Sequence, residues 1–417
     1  MDFEILIIGS DINAYYMARC AHEAYGKKAY MLAHSKMAFT HYSNIINIIY
    51  NDKIWDEKHF LKAINKFAKE FKKKKILLIS SNETYAAFLV NNQLPENCVY
   101  NYPNKNILNS FINKEKFYKK YAKYNIDIPN TVYYACTSKS KPKIKGLTYP
   151  VIIKPADVVK YNHISFEGKN KIYKVHDENE ALKVIDNIKN GGYDDTLIIQ
   201  EFIPGDDSYL FDSVVYCNKN GIVTDMTFAQ IGLQEHKKTM IGNAAILING
   251  YNTYNIDVKP VIKKLKSFME EIGYTGFAEF DLKYDYRDKK FKVLEINARQ
   301  GRCSYYLSAL GGNLVKILVD DVIFNKERKF KYYDDKVLLS FVPKCIAEKY
   351  LKNEQFKQEV LKLWNSRVNP VVYNKDQSLK RSILLWKVSR RYIQDYQNAT
   401  WDNEVDKWEK VDLLKAL

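Results

Sequence analysis

The run Tyr274-Thr-Gly-Phe-Ala-Glu279-Phe-Asp281-Leu-Lys283-Tyr-Asp285, followed by Val293-Leu-Glu295-Ile-Asn297-Ala-Arg299-Gln-Gly-Arg302, decides how this chain is read. Both segments alternate with period two, which predicts strands with one polar and one apolar face. Glu279, Asp281 and Lys283 share a face in the first. Glu295, Asn297 and Arg299 share one with Val293 in the second, opposite Leu294, Ile296 and Ala298. The turn-rich stretch Asp285-Tyr-Arg-Asp-Lys-Lys290 between them predicts a hairpin. If that hairpin is centred near Asp288, Asp281 pairs with Glu295 and Asn297 lies one step along. Two carboxylates and an amide oxygen are hard ligands, suited to magnesium carrying polyphosphate rather than to zinc. A solvated face on a surface hairpin is the competing reading of the same alternation. The rest of the chain has to choose between them.

Working outward, 417 residues suffice for two or three domains, and no apolar run is long enough to span a membrane. The N-terminus carries an acidic flank and turns directly into a strand, so no signal peptide is expected and the cytoplasm is the expected location. The six cysteines show no paired spacing, so neither a disulfide frame nor a zinc site is expected. The net charge of +16 suits polyanionic partners. It comes mostly from scattered lysines, without a helix-turn-helix, zinc-finger or RNA-binding signature, so nucleic acid is not expected as a partner.

Phe3–Gly9 reads as a buried strand ending in Gly9-Ser10-Asp11, followed by a helix over 14–24 and a strand over 29–33. A helix over 55–74 and the strand Ile76–Ser80 continue the alternation, giving a doubly wound α/β domain over residues 1–113. Its first turn has one glycine rather than a dinucleotide fingerprint, and is expected to hold part of an acidic substrate at a helix N-terminus. In Tyr149-Pro-Val-Ile-Ile-Lys154-Pro the lysine sits inside an apolar strand, and its ammonium must either find a phosphate or snorkel to the surface. The polar stretch 157–170 predicts a loop able to cover phosphates with Ser165 and Gly168. Thr196–Ile203 predicts a strand broken at Pro204-Gly205. Its end either offers backbone groups to an adenine edge or is an ordinary strand-to-turn junction. Toward the C-terminus the helix over 379–396 sets Lys380, Lys387 and Arg391 on one face and Leu385, Val388, Tyr392 and Tyr396 on another. Packing on the core is the first reading of that helix, and peripheral contact with an anionic membrane surface the second.

In this order, the α/β opening, Lys114, Lys154, Gln200-Glu-Phe-Ile-Pro-Gly-Asp-Asp207, the Asp281 strand and Glu295-Ile-Asn297-Ala-Arg299 resemble the ATP-grasp superfamily. Within it the chain is most similar to the D-aspartate ligases of lactic acid bacteria. The likeness is carried by Gly9-Ser-Asp-Ile-Asn-Ala-Tyr-Tyr-Met-Ala-Arg19, Phe202-Ile-Pro-Gly-Asp-Asp-Ser208, Tyr274-Thr-Gly-Phe277 and Asn297-Ala-Arg-Gln-Gly-Arg-Cys-Ser304. It covers nearly the whole chain.

The resemblance implies an ATP-grasp fold with three parts: the N-terminal domain, an ATP-grasp domain over 114–330 and a mostly helical C-terminal extension over 331–417. It further implies that Lys114 and Lys154 hold ATP phosphates, that the backbone of Glu201, Phe202 and Ile203 pairs with adenine, and that Asp207 contacts the ribose. Asp281, Glu295 and Asn297 would ligate Mg²⁺, and Arg299 would face the transferring phosphoryl group. Glu279 stands where the D-alanine ligase branch carries an arginine, so the oxyanion role would fall on Arg299 or Arg302. The implied partners are D-aspartate and the side-chain amine of a peptidoglycan precursor. For the second carboxylate of the donor, Arg302 is the expected grip, with the turn Ser10-Asp11 and Arg19 as the alternative. Competing functions are an ATP-grasp ligase for another amino acid or a free dipeptide, and a non-catalytic nucleotide-binding scaffold at a membrane surface. A scaffold has no use for two metal carboxylates and Arg299.

Overall fold

The computed structural model describes residues 2–237, 240 and 242–398; the end of the expected helical extension, 399–417, lies outside them. The chain opens as a parallel five-stranded sheet of β1 (Phe3–Ile8), β2 (Ala29–Ala33), β3 (Ile46–Tyr50), β4 (Lys75–Ser80) and β5 (Cys98–Val99), in the order β3-β2-β1-β4-β5. Helices α1 (Ile12–Tyr25), α2 (Glu57–Glu70) and α3 (Glu83–Asn91) connect its strands. Each starts where a side chain satisfies a free backbone donor. Asp11 accepts from Ala14 N, Asp56 from His59 N and Asn82 from Tyr85 N. The Asp56 cap is also why α2 begins two residues inside the helix the sequence predicts.

Helices α4 (Lys105–Ile112) and α5 (Lys114–Tyr121) lead into a four-stranded antiparallel sheet, order β6-β9-β7-β8. It comprises β6 (Thr131–Ala135), β7 (Val151–Pro155), β8 (Tyr173–Val175) and β9 (Thr196–Glu201). Where the sequence predicts only a loop after Asp157, a short helix α6 (Val158–Asn162) forms, because the Asp157 carboxylate accepts from Lys160 N at 3.0 Å. Helix α7 (Glu178–Asn190) closes one face of this sheet through Ala181, Ile185 and Ile188.

A third sheet of eight strands forms the floor of the molecule. It contains β10 (Leu210–Cys217), β11 (Val223–Thr227), β12 (Ala229–Gln234), β13 (Ala244–Asn249), β14 (Gly276–Asp285), β15 (Lys290–Asn297), β16 (Lys331–Tyr333) and β17 (Val337–Ser340). Its main path runs β15-β14-β10-β12-β13-β17, with β11 and β16 off to one side. The last two strands come from the segment after residue 330, which then becomes helical.

Helix α8 (Lys259–Glu271) packs Leu265, Phe268 and Met269 into the same core as β10 and β14. Helices α9 (Tyr305–Ala309) and α10 (Leu314–Leu318) lie between this sheet and α1. One apolar core therefore joins Tyr15, Tyr16 and Met17 of α1 to Val214, Phe277 and Leu307, so the N-terminal sheet is held against the floor. Helices α11 (Lys344–Tyr350), α12 (Glu354–Leu363) and α13 (Leu379–Gln397) cover the far edge. On α13, Leu385, Tyr392 and Tyr396 pack inward as the first reading of that helix requires, while Leu379, Ile383 and Trp386 stay exposed. No helix among the described residues is long and apolar enough to cross a membrane.

Candidate active site

Between the four-stranded sheet and the floor lies a cavity of about 600 Å³. Strand β7 delivers Lys154 into it, β9 and the turn after it deliver Gln200 to Asp207, and β14 and β15 deliver Asp281, Lys283 and Glu295. In the hairpin, Asp281 lies opposite Glu295 and Glu279 opposite Asn297, as the alternation predicts. A bulge at Leu294 interrupts that alternation: Val293 pairs with Leu282 and joins the apolar core instead of sharing the face of Glu295. The Asn297 amide donates at 3.3 Å to both Glu279 Oε2 and Asp281 Oδ2. From the other side of β14, Asp212 of β10 pairs with Asp281.

Four buried or half-buried carboxyls thus crowd one patch. Burial pushes the Asp281 carboxyl well above the usual carboxylate range, and the charges of Glu279 and Glu295 add to the effect. Burial likewise carries Asp212 up to about 7, against a 2.6 Å hydrogen bond from the Tyr306 hydroxyl and with help from Asp281. Glu295 goes the other way. Burial alone would raise it, but the ion pair with Lys114, followed by Lys171 and Lys154, takes it down to about 2.

Crowded acids of this kind are what a divalent cation relieves, and oxygen donors of two carboxylates and an amide suit Mg²⁺ if phosphate oxygens complete the shell. Among the described residues no three His, Cys, Asp or Glu side chains form a metal cluster by themselves. The donor set of Asp281, Glu295 and Asn297 fits a metal shared with a ligand better than one held by protein alone.

Opposite the acids stand the lysines. Lys154 is buried, and its ammonium donates to Gln200 Oε1 at 3.0 Å and Tyr118 OH at 3.3 Å. Burial, then repulsion from Lys114, lowers it to about 7. Lys171, Lys174 and Lys283 also line the cavity. Lys174 lies 3.7 Å above the Phe202 ring, and Lys283 donates to Gly205 O at 2.6 Å. Strand β9 ends at Glu201, so the peptide groups of Phe202 and Ile203 pass the cavity beyond the ladder. The Glu201 carboxylate turns aside to accept from Asn130 N at 2.9 Å.

The other expected residues are distributed unevenly. Asp207 borders the cavity, but its carboxylate already accepts from Gln234 N at 2.7 Å and Gln234 Nε2 at 2.6 Å. Arg299 lies outside the cavity lining and turns toward the N-terminal sheet, bonding Glu83 at 2.8 Å and Gln300 O at 2.8 Å. Arg302 is not brought to the cavity either. It pairs with Glu235 at 2.5 Å, donates to Tyr392 OH at 2.8 Å and stacks over Phe341. Ser165 and Gly168 do not line the cavity, whereas Val158, Lys171 and Ile172 do.

Three lining lysines and the two carboxyls of Asp212 and Glu279 were not assigned roles from the sequence. Lys283 and Glu279 had a usable signal, since both share the Asp281 face. Asp212 and Lys171 had none, because only strand pairing and loop folding bring them in.

No protein-family model matches the chain. Among curated proteins it is 32% identical over 415 residues to a D-aspartate ligase from Enterococcus faecium (strain Aus0004), covering 95% of this chain and 96% of that one. Among solved structures it is similar to an ADP complex of N5-carboxyaminoimidazole ribonucleotide synthetase, at a TM-score of 0.60 and 14% identity, covering 87% of this chain and 85% of that one. It is also similar to an L-amino acid ligase from Bacillus licheniformis, at a TM-score of 0.54 and 14% identity, covering 77% and 74%. At such identities the structures speak for the fold alone.

Proposed function

We infer the reaction from the family: this chain belongs to the D-aspartate ligases and is an ATP-dependent carboxylate–amine ligase with the ATP-grasp fold. Its substrates are D-aspartate, activated at the β-carboxylate, and the side-chain amine of a peptidoglycan precursor stem peptide in the cytoplasm. A carboxylate cannot expel oxide when an amine attacks it, so ATP first converts it to an acyl phosphate with a competent leaving group. Phosphoryl transfer of this kind asks the protein for positioning and charge neutralisation more than for covalent chemistry.

The observation that carries this reading is one cavity in which buried lysines face a crowded carboxylate patch. Lys114 and Lys154 would hold phosphate oxygens, and the peptide groups from Glu201 to Ile203 would meet the adenine edge. Asp207 is oriented by Gln234 at the ribose end. Asp281, Glu295 and Asn297 would hold Mg²⁺, which when bound neutralises charge on the phosphates. Lys114 would then exchange Glu295 for a phosphate, a short movement for a flexible side chain already at the site. Arg299 neutralises charge at the junction between the phosphoryl end and the N-terminal sheet.

The test is ADP release with L- and D-amino acids, with and without the precursor. Release stimulated by D-aspartate and completed by the precursor is the expected result. Stimulation by L-amino acids alone, with a free dipeptide as product, would replace this reading.

A further inference from the structure

The cavity accounts for a nucleotide but leaves the amino-acid donor without a grip. Arg302 is bonded to Glu235 and Tyr392. Arg19 is spent on Glu23 and on the carbonyls of Asn369, Pro370 and Val372, with its guanidinium over Tyr305 and Tyr373. What remains is the place where the five-stranded sheet reverses its winding. The chain runs outward from β1 through β2 to β3, then returns to β4 on the other side of β1. Such a reversal opens a crevice beyond the carboxyl ends of the two central strands.

The turns there approach closely. A Cβ on Gly9, whose φ is +117°, would lie 1.9 Å from Ser81 Oγ, so only glycine lets the two turns meet. Helices α1 and α3 both begin at this point, with Asp11 and Asn82 as their caps. Arg299 reaches in from the end of β15 and is held by Glu83. Burial works against charge on Arg299, but Glu83, Glu279 and Asp11 together keep it protonated.

Three polar atoms in the crevice are buried without a hydrogen-bond partner among the described residues: the Nε of Arg299 and the hydroxyls of Tyr85 and Ser81. Tyr85 is 1% exposed, and the Asp11 charge acts on its hydroxyl. An orphaned hydroxyl of this kind costs stability unless something else accepts from it. Above it, Trp55 stacks on the Tyr85 ring at 5.0 Å and is itself half exposed. One fixed cation, two carboxylates and three unused donors complement a molecule carrying both an ammonium and a carboxylate.

We propose that this crevice binds the amino-acid end of the donor: Asp11 takes its ammonium, and Arg299 Nε–H with the Tyr85 hydroxyl takes its α-carboxylate. The inference rests on the reading of the chain as an amino-acid ligase. It makes Trp55 a wall of the site and leaves the reacting carboxylate to point past Glu279 toward Asp281. Glu279 joins the two sites physically. It lies two residues from Asp281 on β14, and its charge acts on Arg299.

The test uses the full chain with Mg²⁺ and two readouts. In steady state, Asp11→Asn, which preserves the helix cap, is expected to raise KM for D-aspartate at least about tenfold, with KM for ATP moving less than about twofold. Tyr85→Phe is expected to raise it by about threefold or more. Asp177→Asn, the equivalent cap of α7 on the other sheet, should change neither constant. In binding, D-aspartate added to protein holding a non-hydrolysable ATP analogue should alter tryptophan fluorescence, and Trp55→Phe should lose that change.

An unaltered D-aspartate KM in Asp11→Asn, in an enzyme that turns over D-aspartate, overturns the site while leaving the reaction intact. If wild type instead responds to another amino acid, the same variants are read with that one. If no amino acid stimulates ADP release, the ligase reading fails and this inference falls with it.

Discussion

Two buried charge clusters in this protein look alike and behave differently. In the first, Arg381 and Asp376 face each other at 3.3 Å with almost no exposure. Arg381 also donates to Phe39 O at 2.6 Å and Val371 O at 3.1 Å, and lies over the Tyr15 ring. Asp376 accepts from Tyr15 OH and Ser43 Oγ, each at 2.8 Å, and from Asn44 N at 2.6 Å. This cluster ties the start of α13 to the N-terminal sheet, and like charges do not meet in it. In the second, the cavity, burial drives Asp281 up and Lys154 down to about 7, and like charges add to both shifts, since carboxyls crowd carboxyls and one lysine crowds another. Opposite charges balance in the first cluster, although Arg381 Nε makes no hydrogen bond among the described residues, and like charges leave the second out of balance. The difference separates a clamp from a ligand site better than burial or ion pairing does, because both clusters have those.

The comparison can be broken in four places. The largest effect is expected at the hairpin. Glu295→Gln should lower ADP formation by roughly 10³-fold or more, since a metal ligand is lost, while the protein still folds with a lower thermal midpoint because buried Lys114 loses its ionic partner. Turnover near wild type would remove the metal reading of that face. Next comes the clamp. Asp376→Ala strands a buried guanidinium and should cost about 3 kcal/mol or more of stability in urea unfolding, while the folded fraction keeps its KM for ATP. A large loss of ATP affinity with intact stability would mean that the two clusters had been assigned the wrong way round.

Lys154 sharpens the contrast through its proton. Its folded value of about 7 lies below the ordinary lysine value of 10.5, so between those values the unfolded chain binds more protons. The unliganded protein should therefore gain stability from this group as pH rises from 7 toward 10.5, with the full cost of burying the charge felt below 7. Phosphate would restore the charge, so ATP binding at pH 8 should take up about one proton, measurable by calorimetry in buffers of different ionisation enthalpy. Lys154→Met should abolish that uptake, raise KM for ATP about tenfold or more, and leave stability equal or higher, since it replaces a buried charge with an apolar chain. Proton uptake unchanged in the variant would assign it to another group. The smallest effect is expected at Arg302. Arg302→Lys should lose about 1 kcal/mol of stability through its bonds to Glu235 and Tyr392, with the KM for D-aspartate within about twofold. A tenfold rise there would return the donor grip to Arg302.

Much of this was legible along the chain because strand periodicity is local. The alternation around Asp281 and Glu295 carries the hairpin and the pairing of those two residues, which appear as expected, but not the bulge at Leu294 that turns Val293 to the apolar side. Lys154 in its apolar strand is legible for the same reason: a charge among apolar neighbours needs a polar destination, and the cavity supplies it. Short helices are not legible in this way: the stretch after Asp157 carries no apolar period, and only the cap by its carboxylate makes α6 helical.

The destinations of long side chains were not legible. Arg299 and Arg302 follow the same strand three residues apart, and spacing alone leaves the oxyanion role open between them. Between them Gly301 packs against the Glu279 carboxylate so closely that a Cβ would overlap it. From there the chain sends Arg299 to Glu83 of the first sheet and Arg302 to Glu235 beside the last helix. By itself the sequence determined the strands, their polar faces and the order of the motifs, since each depends on neighbours a few residues away. Only the tertiary structure decided which charges are balanced and which are not. That depends on the sum of charges and on the burial contributed by segments hundreds of residues apart, and no local pattern records such a sum.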